Sequence, residues 1–148
     1  MKNNFSIQVT EDNTGAFLAD LAGKSEKILT KWGMKLETYA KKNCPVGTPE
    51  TTGKPGYIGG TLRDSITHEV IKDSFGLKFV VIGSNVHYAP FVELGTMSNF
   101  EPPEEWEQFT SKKGSKKGKG IEAKHFIRDA VKDHVDELKQ IFDDEMKA

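Results

Sequence analysis

The sequence predicts an α+β fold: a small antiparallel sheet packed against two long helices, with two long loops. Three observations carry that prediction. Apolar residues recur at helical spacing over 14–42, and again from 126 towards the C-terminal end. Between them, two apolar segments flank "KDSFG", a turn signal that joins them as a hairpin.

The elements follow in order. "FSIQVT", residues 5–10, alternates apolar and polar and predicts a short strand, with "EDNTG" as its turn. In the helix after it, Phe17, Leu21, Ile28, Trp32, Leu36 and Tyr39 form one stripe, with lysines and glutamates opposite. Gly23 and Gly33 each weaken this helix by roughly 1 kcal/mol relative to alanine, or else permit close packing. "NCP" ends it, because Pro45 disfavours helical backbone at Cys44. Residues 46–60 are rich in Gly, Pro and Thr and read as a long loop.

Thr61 is placed to cap a helical turn in "TLRDSI", with Asp64 three residues on. "ITHEVI" and "GLKFVVIG" are the hairpin strands. Pro90 suits the first position of a helical turn and Gly95 its C-terminal cap. Tyr88, Phe91 and Leu94 are spaced by three, so "YAPFVELG" predicts a short helix laid over the end of the hairpin. A second long loop spans 97–120, with one helical turn in "EEWEQF". The last helix is expected to start near Glu122. It buries Phe126, Ile127, Ala130, Val131, His134, Leu138, Ile141 and Phe142. At 148 residues the chain is expected to form a single domain, 1–148, with mobile loops about 46–60 and 97–120.

Composition narrows the function classes. A net charge of -1 gives no global attraction to nucleic acid or to a membrane surface. Charge is concentrated locally instead. "SKKGSKKGKG", residues 111–120, holds five lysines and no acid, and "EPPEEWEQF" before it holds four glutamates. The single cysteine, Cys44, excludes an intramolecular disulfide and fits assembly in a reducing cytoplasm. No apolar run approaches the length that spans a bilayer, and no signal peptide is expected.

Catalytic equipment is not apparent. His68, His87, His125 and His134 are scattered, without HxH, HExxH or CxxC spacing, so no metal site is expected. No nucleophile, base and orienter assemble, and no catalytic or cofactor-binding residue is assigned. Glu93 has three readings: a general base near His87, a carboxylate on a polar helix face, or a salt-bridge partner of Arg63. Cys44 lies at a helix C-terminus, where the dipole disfavours a thiolate. "GKPGYIGG" lacks the GxxxxGK[ST] pattern of a phosphate loop. The lysine tract can contact a phosphate backbone, an acidic patch on a protein neighbour, or solvent alone. It lacks aromatic stacking partners for single strands.

Three blocks carry a family resemblance: "GGTLRDSI", then "VVIGSNVHYAPFVELGT" closing the hairpin, then "AKHFIRDAV" opening the last helix. In this order they resemble the HK97 gp10-like family of tailed-phage neck and tail-completion proteins. Pro45, Gly60, Leu62, Arg63 and Ser65 fit the first block of the family pattern. Gly83, Tyr88, Ala89, Val92, Glu93, Gly95 and Thr96 fit the second, and Phe126 and Ala130 the third. Gly59 stands where a threonine is usual and His125 where a proline is usual.

The resemblance implies a structural virion protein, not an enzyme and without a cofactor. It would form a ring of identical subunits in the head–tail neck, or one completing the head-proximal end of the tail. Its partners would be copies of itself and the head connector or tail tube proteins, with no membrane and no expected nucleic acid. The alternative is a small nucleic-acid-binding protein using 111–120. On the structural reading, Arg63, Tyr88, Pro90, Phe91, Glu93, Gly95 and Phe126 form the motif that fixes the short helix. Glu93 pins that helix by an ion pair or a backbone contact. The candidate subunit contacts are Tyr57 in the first loop and Glu104, Glu105 and Trp106 in the second. Lys112, Lys113, Lys116 and Lys117 extend the second set.

Overall fold

The computed structural model describes residues 13–96 and 120–147. The strand expected at 5–10, the turn of helix in "EEWEQF" and the contact residues of the second loop lie outside these. The described elements are α1 (Thr14–Asn43), α2 (Pro49–Thr52), α3 (Thr61–Asp64), β1 (Ile66–Lys72), β2 (Lys78–Ser84), α4 (Ala89–Leu94), α5 (Phe126–Lys132) and α6 (Val135–Lys147). The architecture is α+β, with a long helix laid on a two-stranded antiparallel sheet.

Helix α1 is the central element. One flank packs on the hairpin and another on α5 and α6. Gly33 explains how closely the hairpin approaches. A side chain there would put its Cβ 2.2 Å from the His68 ring, so the missing methyl is the seat for that ring. His68 Nδ1 then lies 2.6 Å from Glu37 Oε2, and Lys78 reaches Glu26 at 2.7 Å. The hairpin therefore runs back along α1, with its turn towards the N-terminal part of the helix. Gly23, by contrast, has open space around it. The α1 stripe is buried only in part. Ile28 and Leu36 are inside, while Phe17 and Leu21 on the first turns are exposed.

The second helix departs from expectation in three ways. It begins at Phe126 rather than near Glu122. It breaks at 133–134 into α5 and α6. It packs mainly on α1 rather than on the sheet. The break has a local cause at His134. Its Nδ1 donates to the Ala130 carbonyl at 3.0 Å. That carbonyl is the acceptor the His134 N–H would need to continue the helix, and the N–H turns to Val131 O at 3.3 Å instead. The His134 ring stacks on Tyr39 with centroids 3.4 Å apart.

Two smaller expectations also change. The 46–60 segment contains α2, which is locally encoded. Thr48 and Thr51 form a reciprocal capping box, Pro49 occupies the first turn, and Gly53 ends it in the left-handed region. The N-cap of α3 is Gly60, not Thr61, and no side chain caps it. The buried cluster is formed by Ala40, Cys44, Leu62, Ile66, Ala89, Phe126 and Ala130, one or two from each neighbouring element. Phe126 and Ile66 are fully enclosed. Burial of each such side chain stabilises by about 1.5–3 kcal/mol.

Candidate functional site

Phe126 carries α5 into the core, and a clasp between α4 and α5 holds it there. The first turn of a helix leaves backbone N–H groups without partners. The residue preceding α5, His125, provides no side-chain cap. Glu93 supplies one from α4. Its Oε2 accepts from Ile127 N at 3.0 Å and its Oε1 from Arg128 N at 2.9 Å. A carboxylate at that position also complements the positive end of the helix dipole. Backbone bonds extend the clasp. Lys124 N donates to Val92 O at 2.9 Å, His125 N to Glu93 O at 3.1 Å, and Thr96 N to Ile121 O at 2.9 Å.

Of the roles open to Glu93, the structure places it in the backbone contact. Arg63 makes its ion pair with the adjacent Asp64, at 2.9 Å. His125 is buried and left-handed, with φ 48°. A proline ring is fixed near −65° and has no N–H, so histidine here permits both the backbone geometry and the bond to Glu93. Pro90 is the second residue of α4, after Ala89. Tyr88 and Val92 pack against the core. Phe91, expected to hold α4 on the sheet, is instead 52% exposed. Gly95 ends the helix at φ 75°, backbone that favours glycine.

The first loop is pinched at its base. A Cβ on Gly59 would lie 2.1 Å from the Gly47 carbonyl oxygen, so only glycine allows the two strands of the loop to touch. This accounts for glycine where the family pattern usually has threonine. Tyr57 leans over the same base, near Gly47, while Ile58 is 90% exposed. Cys44 is buried in the core at the foot of this loop. Burial raises its thiol above the ordinary value of 9.0, with Glu93 and Asp64 adding to the rise and Arg63 opposing it.

Sequence reasoning missed the outer face of the hairpin. Ile71, Phe79 and Val81 are exposed there, and at the turn Phe75 is 89% and Leu77 61% exposed. The signal was present in "KFVVIG": apolar residues occupy both parities of the strand, which a sheet covered on one face does not need. Among the described residues no group of three or more His, Cys, Asp or Glu could hold a metal ion. No described helix is long and apolar enough to cross a membrane.

A small antiparallel sheet thus lies on a long helix, and a cap supplied by α4 clasps the start of α5 beside it. Residues 10–95, more than half of the chain, match the model of the HK97-gp10-like family, described as "Bacteriophage HK97-gp10, putative tail-component". The chain belongs to that family and is a structural component of a tailed bacteriophage, with other virion proteins as its partners. The matched span ends at Gly95, short of the "AKHFIRDAV" block. No curated protein and no solved structure matches the chain.

Proposed function

We propose that this protein is a ring-forming subunit that joins head to tail or completes the head-proximal end of the tail. It acts as a rigid brick without catalytic residues. The observation that carries this reading is where the two loops attach. The 46–60 loop leaves the C-terminal end of α1, and Thr96 and Ile121, hydrogen-bonded to each other, close the base of the other loop beside the α4–α5 clasp. Both loops thus spring from elements that share one buried cluster, so a rigid base carries both contact arms. Tyr57 and the exposed Ile58 represent the first arm. Glu104, Glu105 and Trp106, then Lys112, Lys113, Lys116 and Lys117, represent the second. Acidic and basic halves within one arm suit head-to-tail contact between identical subunits, which closes into a ring when the rotation permits.

The test is genetic and structural. Particles made without the protein should be filled heads and free tails that do not join, or tails with an abnormal head-proximal end in electron micrographs. Limited proteolysis should cut both arms in the free protein and spare them in the assembled particle. Normal particles lacking this polypeptide would overturn the reading.

A further inference from the structure

Among the described residues the hairpin of β1 and β2 is open at both edges. Among the described residues neither strand has a ladder partner other than the other. Proteins normally protect such edges with prolines, bulges or charges. Neither strand contains a proline, and the two pair one-to-one over seven residues, Ile66↔Ser84 to Lys72↔Lys78. Charge separates the two edges. β1 carries His68, Glu69 and Lys72, whereas β2 is uncharged from Phe79 to Ser84. Its one charge, Lys78, is engaged by Glu26.

The hydrogen-bonding groups on the open edges can be assigned. Asp73 N donates to Leu77 O at 2.9 Å at the turn. Alternation along an antiparallel ladder then makes Ile71↔Phe79, Glu69↔Val81 and Thr67↔Gly83 the hydrogen-bonded pairs. Val80 and Ile82 on β2, and His68 and Val70 on β1, therefore turn their backbone N–H and C=O outward.

We propose that the open edge of β2 binds the open edge of β1 in a second copy of this chain, extending the sheet from subunit to subunit. This rests on the ring reading above and names its interface. The occupant follows from the edges themselves. A foreign strand would cover one edge and leave the other bare, whereas a copy brings the complementary edge. Rotation about an axis along the strands sets the next β1 antiparallel to β2, the sense already used within the hairpin. The hairpin's own register then repeats, with Val80 opposite the next Val70 and Ile82 opposite the next His68. Phe79 meets the next Ile71, so the exposed apolar row continues across the joint. Pairing of β1 with itself about its centre would set Glu69 against Glu69, which like charge disfavours. Pairing of β2 with itself would close a dimer and leave both β1 edges bare.

The experiment uses the full chain. Its assembly state is followed by sedimentation over a range of concentrations, and amide exchange is measured residue by residue at both extremes. The Val80 and Ile82 amides should exchange at least about tenfold more slowly in the oligomer than in the diluted monomer. V80P, which removes an outward donor, should remain monomeric while keeping the helical signal of α1. Equal exchange of those amides in oligomer and monomer would overturn the edge joint and leave the ring reading intact. Protection confined to a species that stops at a dimer would replace it by β2–β2 pairing. A chain that is monomeric at every concentration and present as a single copy in virions would remove the ring reading and this interface together.

Discussion

At the residue scale, Glu93 is the side chain through which the "YAPFVELG" segment acts on the rest of the fold. It caps a helix that begins more than thirty residues later, at Phe126. Glu93→Ala should therefore cost about 1–2 kcal/mol, as loss of a capping acceptor does. Glu93→Gln keeps an acceptor but loses the charge facing the helix dipole, so its cost should be smaller. Denaturant unfolding measures both, through a lowered midpoint at unchanged slope. Amide exchange at Ile127 and Arg128 supplies the specific readout. Faster exchange at those two amides in the alanine variant is the expected result. Unchanged rates there would mean that Glu93 does not cap α5.

At the element scale, α6 is held to α1 largely by polar groups. Trp32 Nε1 donates to Leu138 O at 2.9 Å. Glu137 accepts from Lys35 and from the Tyr39 hydroxyl, and Glu145, itself buried, accepts from Lys31 and Lys27. The hydrogen bond from Lys35 holds the Glu137 carboxyl below its ordinary value of 4.5, and that from Lys31 does the same for Glu145. Depressed carboxyl values mean that their stabilisation is complete above 4.5 and is lost as pH falls through the lower folded values. Lys35 and Tyr39 shift the other way. Glu137 raises both above their ordinary values of 10.5 and 10.0, so their share is complete below those values and is lost at higher pH. Acidification from neutrality to below 4.5 should loosen α6 from α1. Exchange of α6 amides across that range is the measurement, and α6 amides as protected at pH 3 as at pH 7 would contradict it.

The same elements show what sequence reading captures. The hairpin, the long first helix and the short helix after Tyr88 follow from periodicity and turn chemistry, which are local. The helix break at His134 was not legible, because a histidine within an apolar stripe looks like a core residue. Its bond to Ala130 O and its stack on Tyr39 come from geometry brought together by packing. Glu93 stayed ambiguous for a related reason. Its partners are backbone N–H groups on a distant element, and no side-chain pattern announces them. Phe91, expected to fix the short helix against the sheet, is half exposed, because spacing by three gives a face without saying what covers it.

At the scale of the whole molecule, the fold is polarised. Beside the buried cluster lie the base of the 46–60 loop and the bonded pair Thr96 and Ile121, and along α1 from it lie the hairpin turn with Phe75 and Leu77 and the exposed first turns of the helix. This arrangement separates what holds the brick together from what is available to neighbours. Thr96 and Ile121 are already bonded across the mouth of the second loop, at 2.9 Å, with a second bond from Ile121 N to Thr96 Oγ1 at 2.8 Å. Excision of 97–119, with a short glycine-serine bridge in its place, should leave the core intact. Shortening the connection reduces the entropic cost of closing it, by about 0.6 kcal/mol for each halving of length, so the melting temperature should hold or rise slightly. Particle assembly should nonetheless fail if that loop is a contact arm, because the brick would be sound and its joint missing. Thermal melting of the purified variant and complementation of a phage lacking the wild-type protein test the two halves separately. A stable variant that restores infectious particles would remove the second loop from the assembly surface, and a variant that no longer folds would place the loop within the core instead.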